Sequence, residues 1–135
     1  MRNKVWNPLT KVGEFRLKLY PKDFELVRHF YETVLGFPVI DEWGAGEDEK
    51  GVMFDTGVAT LELLSPDQYQ PVTGCSLSLE VSDVWELWKK FQNGTNIVFG
   101  LRDNSWGDTS FKITDPEGFE ITFFTKHTGN KSNIT

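Results

Sequence analysis

Two stretches of the chain alternate apolar and polar residues as a half-buried strand does, FRLKL at 15–19 and CSLSLEV at 75–81. Each is followed by an aspartate in the position of a helix N-cap, Asp23 and Asp83. Apolar residues at helical spacing follow each aspartate, and Gly36 ends the first helix as a C-terminal glycine. The pattern therefore predicts a strand and then a helix near the start of each half of the chain.

Three shorter strands are predicted after each helix. They cover about 38–43, 51–55 and 59–64 in the first half, and near 96–101, 109–113 and 119–124 in the second. The two halves superpose at an offset of 60 residues, which aligns Leu17 with Leu77 and Asp55 with Asp115. Because element order, caps and strand phase agree at one offset, the pattern indicates an internal duplication.

The predicted fold is α+β, with two tandem βαβββ modules that form a curved sheet cup with the helices outside. We expect a single domain over 1–135, with module one at about 14–65, module two at about 74–125 and a polar tail at 126–135. Alternate strand residues should pack under the helices, namely Phe15, Leu17, Leu19, Leu77, Leu79 and Val81. The other side of the strands is too polar for a core and is expected to line a cup for a small molecule.

The charge and the cysteine content of the chain indicate which partners and which cellular compartment are expected for the protein. The chain has 20 acidic and 14 basic residues, and this net charge of −6 disfavours nucleic acid as a partner. No apolar run is long enough for a signal peptide or a membrane span. Cys75 is the only cysteine, which excludes an intrachain disulfide and suits a reducing cytoplasm. We interpret Cys75 as a buried small residue rather than a nucleophile.

Four segments together resemble the vicinal oxygen chelate superfamily, which includes glyoxalase I, extradiol dioxygenases and bleomycin-resistance proteins. They are FYETVLGF (30–37), LELL (61–64), VSDV (81–84) and WGDTSFKITDPEGFEITFF (106–124). The resemblance extends from residue 15 to about 125. It implies paired βαβββ modules, a cup-shaped site and usually a homodimer.

The resemblance also implies where a metal would be bound. Enzymes of this superfamily place a divalent metal at four positions, on the first and last strands of each module. In this chain those positions carry Arg16, Glu62, Ser76 and Thr122. Only Glu62 is a good metal ligand, and a guanidinium would repel the cation. The chain is therefore similar to the metal-free bleomycin-resistance type, and neither a metal nor a cofactor is expected.

The resemblance implies a small-molecule binding protein that sequesters an antibiotic or a metabolite without metal catalysis. The alternative is a metal-dependent lyase, isomerase or dioxygenase whose ligands come from other residues or from a second subunit. The expected ligand-binding residues are Arg16, Glu62, Ser76, Trp106, Thr122 and Trp43, and no catalytic residue is assigned. A homodimer is expected as well, with no membrane partner.

Several of these residues allow more than one interpretation. Glu62 could be a metal ligand, a general base or an ion-pair partner of Arg16, and the ion pair is preferred because two opposite charges in a partly dry site would pair. Trp106 could stack on a ligand or anchor its own loop, and Trp43 is a similar candidate. The two histidines, His29 and His127, lie off the metal positions and are expected to be non-catalytic.

The acidic hairpin segment at 41–49 could attract a cationic ligand, and an ordinary solubilising loop is the preferred interpretation.

Overall fold

The computed structural model describes residues 5–65, 69 and 71–127. The chain divides into two compact units, Met1–Gln70 and Pro71–Thr135. Each unit contains one four-stranded sheet and one helical segment, so the fold is α+β with a βαβββ order in each half, as the sequence predicts. No helix in the described part of the chain is long and apolar enough to cross a membrane.

The first unit is built from four strands and a short helical segment. Its strands are β1 (Arg16–Leu19), β2 (Val39–Trp43), β3 (Lys50–Asp55) and β4 (Thr60–Ser65). They lie in the order β1-β4-β3-β2, with β1 and β4 parallel and the other pairs antiparallel. Helix α1 (Phe24–His29) begins after Asp23, whose Oδ1 accepts a hydrogen bond from the Leu26 amide at 3.1 Å.

The predicted first helix changes its winding before it ends. A π-helical turn (Phe30–Val34) follows α1, and the Leu35 amide donates to the Phe30 carbonyl at 2.9 Å. Gly36 then adopts φ +77°, which confirms it as the glycine that ends the helical segment.

The second unit repeats this order. It contains β5 (Ser76–Glu80), α2 (Val84–Phe91), β6 (Asn96–Asn104), β7 (Asp108–Thr114) and β8 (Glu120–Lys126), with the sheet order β5-β8-β7-β6. Asp83 caps α2, since its Oδ1 accepts from the Glu86 amide at 3.0 Å. The Glu86 side chain binds Lys89 at 3.0 Å, so the capping box predicted by the sequence is only half formed.

The strand register confirms the duplication. In the parallel pair of the first unit, Arg16 lies opposite Thr60 and Lys18 opposite Glu62. In the second unit Ser76 lies opposite Glu120 and Ser78 opposite Thr122, each residue 60 positions later. The four positions assigned from the superfamily resemblance therefore occupy equivalent places in the two sheets.

Each helix packs on one side of its own sheet. In the first unit the buried Tyr31 ring lies 6.2 Å from Phe54 of β3. In the second unit the Trp88 ring of α2 lies 5.2 Å from the buried Phe111 of β7. We call the side of each sheet away from its helix the distal face; by strand alternation it carries Arg16, Lys18 and Glu62 in the first unit, and Ser78, Ser110, Lys112 and Thr122 in the second.

Two expectations about the ends of the modules were wrong. Phe15 was expected in the core, but it precedes β1 and is 60% exposed. The polar tail was expected to begin at residue 126, but Lys126 belongs to β8 and the His127 amide donates to the Gly107 carbonyl at 2.9 Å. A backbone hydrogen bond to the β6–β7 turn thus extends the fold by two residues, and the rest of the predicted tail lies outside the described residues.

Candidate functional site

Arg16, on β1 of the first unit, pairs with Glu14 rather than with Glu62. Its Nε lies 3.0 Å from Glu14 Oε2 and its Nη2 lies 3.2 Å from Oε1. The predicted ion pair between Arg16 and Glu62 is therefore wrong. Glu14 is two residues away along an extended segment and is exposed, so this pair forms without burying either charge. The hydrogen bond from Arg16 lowers the pKa of Glu14, and the same contact raises the pKa of Arg16.

Glu62, in the middle of β4, is buried and lacks a full set of partners. The residue is 5% exposed, and no hydrogen-bond donor within the described residues reaches its Oε1. A buried carboxylate oxygen without a partner costs stability, and such a group in a folded protein calls for an explanation, such as a catalytic role or a bound ion. Glu62 is therefore a candidate functional residue on structural grounds as well as by its place in the sequence.

The four positions that hold a metal in related enzymes do not form a metal site in this chain. Glu62 offers a carboxylate, whereas Arg16 is a cation and Ser76 and Thr122 offer only neutral hydroxyls. Across residues 5–65, 69 and 71–127, no three His, Cys, Asp or Glu side chains are grouped so that they could hold a metal ion. The donor set of these four residues does not fit the metal of the superfamily's enzymes.

The second unit has a cavity of about 430 Å³ on the distal face of its sheet. Its lining includes Ser78, Phe99, Arg102, Trp106, Asp108 and Thr122. Two residues expected from the sequence, Trp106 and Thr122, are thus brought to one cavity. Such a volume is typical of small-molecule sites.

Hydrogen bonds hold the β6–β7 end of this cavity. Asp108 accepts from the Asn104 side chain at 2.7 Å and from the Trp106 indole at 3.1 Å. The Asn104 amide also donates to Ser110 Oγ at 2.8 Å. Trp106 is nevertheless 73% exposed, so it does not anchor its loop by burial. Its indole N–H is fixed and its ring surface is available for stacking.

Two lining residues that the sequence did not identify are Phe99 and Arg102 on β6. Phe99 pairs with Lys112 and Arg102 pairs with Ser110. Between these two pairs β6 has two residues where β7 has one, which is a β-bulge. This bulge puts Phe99 and Arg102 on the same face, although strict alternation would separate them. The available signal was Gly100 inside a predicted strand, since glycine there often marks a bulge.

The remaining predicted site residues lie elsewhere. Ser76 lines a different cavity of about 330 Å³, together with Cys75 and Glu120. Cys75 is exposed, which corrects the expectation that it is buried, because it precedes β5 rather than lying within it. Trp43 lies in the first unit, where its ring covers Gly51 so closely that no side chain would fit there.

Neither histidine belongs to the lining of the second unit's cavity, as far as the structure describes it. His29 is exposed at the end of α1. His127 Nε2 lies 2.7 Å from Thr109 Oγ1, and the Thr109 hydroxyl donates to Asp103 at 2.6 Å. A Thr109 hydroxyl that donates to Asp103 can at the same time accept a hydrogen bond from His127 Nε2. Thr109 is also 1% exposed, so a substrate does not reach it.

Comparison with known proteins places this fold in a family. A family model of the Glyoxalase/Bleomycin resistance protein/Dioxygenase superfamily matches residues 15–123. The chain belongs to this superfamily. The comparison with curated proteins gave no match.

Several solved structures share the fold at low sequence identity. TioX from Micromonospora sp. ML1 is 23% identical, with a TM-score of 0.69 over 85% of this chain and 99% of its own. A putative glyoxalase family protein from Bacillus anthracis is 19% identical, with a TM-score of 0.68 over 93% and 99%. A lactoylglutathione lyase from Agrobacterium tumefaciens is 18% identical, with a TM-score of 0.64 over 88% and 96%. At these identities the likeness concerns the fold alone.

Replacing Arg16 by methionine tests the Arg16–Glu14 pair. We expect the pKa of Glu14 to rise towards its ordinary value in Arg16→Met, because the hydrogen bond and the positive charge are lost. In the parent protein the contribution of this pair to stability is present at neutral pH and is lost as pH falls through the lowered pKa of Glu14. NMR titration of the Glu14 carboxyl measures the change. Lys18→Met removes the same charge from the same strand without this hydrogen bond and should have a smaller effect.

Proposed function

We propose that the protein binds a small molecule and sequesters it, as an antibiotic or metabolite binder of the glyoxalase/bleomycin-resistance type, without metal catalysis. The observation that carries this proposal is the cavity of about 430 Å³ on the second sheet. It combines an exposed indole with polar groups already held by hydrogen bonds, and such preorganisation reduces the cost of ligand binding.

The chemistry of the lining favours recognition over proton transfer. Both oxygens of Asp108 already accept hydrogen bonds, from Asn104 and Trp106. Neither a histidine nor a cysteine is found in the lining, as far as the structure describes it. Histidine is the side chain that most often performs general acid–base catalysis, and Lys112, the lysine of the lining, is paired with Glu120. The side chains present are suited to stacking and to hydrogen bonding with a ligand.

We place this activity in the cytoplasm. Cys75 is a free, exposed thiol in a chain that cannot form an internal disulfide. Exposed thiols are compatible with a reducing compartment, where they remain unpaired.

A variant that fills the cavity tests the proposed function. Ser78 is exposed on β5 and lines the cavity, so Ser78→Phe should abolish binding while leaving the core intact. We expect ligands found in a thermal-shift screen of aromatic compounds with hydrogen-bonding groups to stabilise the parent protein and not this variant. Thr33→Phe, which adds the same ring to the exposed surface of the first unit, is the control. Mass spectrometry should recover the ligand unchanged, and conversion to a product would contradict sequestration.

The second candidate function is a metal-dependent lyase, isomerase or dioxygenase of the same superfamily. The observation that favours it is the buried Oε1 of Glu62, which lacks a partner within the described part of the chain. A metal bound by Glu62 and by groups from elsewhere would satisfy this atom.

Replacing Glu62 by methionine separates the two candidates. If no metal binds, Glu62→Met removes an unpartnered buried carboxylate and should raise the free energy of unfolding by about 1–3 kcal/mol. Metal analysis of protein purified without chelator should then find far less than one divalent ion per chain. Glu47→Met, in an exposed loop, is the control and should change stability little. One bound ion per chain, lost together with stability in Glu62→Met, would support the enzyme instead.

We also propose that the protein is a homodimer. The segment before β1 exposes a series of large apolar side chains, Val5, Trp6, Leu9, Val12 and Phe15, each more than half exposed. A second copy of the chain would cover such a surface, and two-fold dimers are the commonest assemblies of soluble proteins.

Light scattering tests the dimer and the surface together. The parent protein should have about twice the chain mass of 15.5 kDa. Phe15→Asp combined with Trp6→Asp should shift the protein towards the monomer, because charges would be buried without partners. Val58→Asp changes an exposed apolar residue of the β3–β4 turn and should remain dimeric. A monomeric parent protein at micromolar concentration would contradict the proposal.

A further inference from the structure

The guanidinium of Arg102, an exposed residue in the lining of the second unit's cavity, lies over an aromatic ring. Its Cζ is 3.5 Å from the centre of the Phe99 ring. This contact depends on the β6 bulge, which puts both side chains on the distal face. A guanidinium stacked by its face keeps its N–H groups directed outwards in its own plane. Phe99 therefore orients Arg102 without using its hydrogen-bond donors.

Unlike the other charged groups of the cavity, Arg102 has neither an ion-pair partner nor a hydrogen-bond partner among the described residues. Lys112, the second cation in the lining, pairs with Glu120 at 3.0 Å. Asp108, the acidic residue of the lining, accepts hydrogen bonds at both oxygens from neutral donors. For Arg102, none of the carboxylates in residues 5–65, 69 and 71–127 lies within ion-pair distance. Its donors are thus available to a ligand.

The same cavity offers aromatic surface beside these donors. Trp106 is 73% exposed, and its indole N–H is held by Asp108. Phe124 contributes a further ring to the lining. Aromatic side chains favour planar ligands because stacked rings bury apolar area with little loss of conformational freedom.

We infer that this cavity selects planar aromatic carboxylates, with the carboxylate bound by two N–H groups on one edge of the Arg102 guanidinium and the ring stacked near Trp106. A carboxylate matches the fork of a guanidinium in a bidentate hydrogen-bonded pair, which is stronger than a neutral hydrogen bond. The inference rests on the proposed function and adds the class of ligand to it. Arg102 and Trp106 then determine ligand specificity.

Three probes of one shape and different charge test this inference: 2-naphthoate, 2-naphthamide and 2-naphthylmethylammonium. Calorimetry measures the dissociation constants, and the NMR signal of the Trp106 indole N–H locates binding. We expect 2-naphthoate to bind the parent protein most tightly. Arg102→Gln should weaken that binding roughly 10- to 100-fold, since a hydrogen-bonded charge pair is lost, and should leave 2-naphthamide unaffected. Lys89→Gln makes the same charge change on exposed α2 and should alter neither.

The outcomes separate this inference from the function on which it rests. Equal or tighter binding of the amide or the ammonium probe, with the Trp106 signal perturbed, would overturn the carboxylate inference and leave small-molecule binding intact. An unchanged affinity for 2-naphthoate in Arg102→Gln would overturn it as well. Failure of all three probes to bind would also overturn it, and the proposed function would still be decided independently by the Ser78→Phe experiment.

Discussion

Burial of one face of each sheet under its own helix is the constraint on which the rest of this structure depends. Phe111 and Phe123 are buried against α2, and Tyr31 and Phe54 are buried in the first unit. Because side chains alternate along a strand, fixing this face also fixes which residues lie on the distal face, and a slip of one residue would exchange the two. The hydrophobic core therefore determines where the polar and aromatic groups of the candidate site are presented.

The preference of a binding site for a charged ligand depends on the groups around the site more than on the net charge of the whole chain. A net charge of −6 suggests a cationic partner, yet the lining of the second unit's cavity contains Arg102, which no carboxylate of the described residues reaches within ion-pair distance. Charges in solution are screened over roughly 8 Å at physiological salt. One carboxylate of the acidic hairpin segment is also engaged locally, since Glu42 pairs with Arg28 at 2.8 Å. Overall acidity thus gives little information about this cavity.

The duplicated modules carry different chemistry at equivalent positions. Glu62 on β4 and Thr122 on β8 occupy the same register, but the first is a buried carboxylate and the second is a hydroxyl in the lining of a cavity. Likewise Arg16 is engaged by Glu14, whereas Ser76 carries no charge. A shared backbone thus supports a buried acidic position in one unit and an aromatic, cationic cavity in the other, because fold alone does not fix the function of a site.

The sequence by itself determined the strands, both helix caps and the duplication, because alternation, capping residues and repeat offset are local properties of the chain. It also singled out Trp106 and Thr122, and the structure brings both into the lining of one cavity. The tertiary structure alone decided the rest. The β6 bulge between Phe99 and Arg102 places the Arg102 guanidinium over the Phe99 ring. Arg16, which was expected to pair with Glu62, pairs with the nearby Glu14. Such outcomes depend on register shifts and on competition between neighbouring charges, which are settled only when the strands pair.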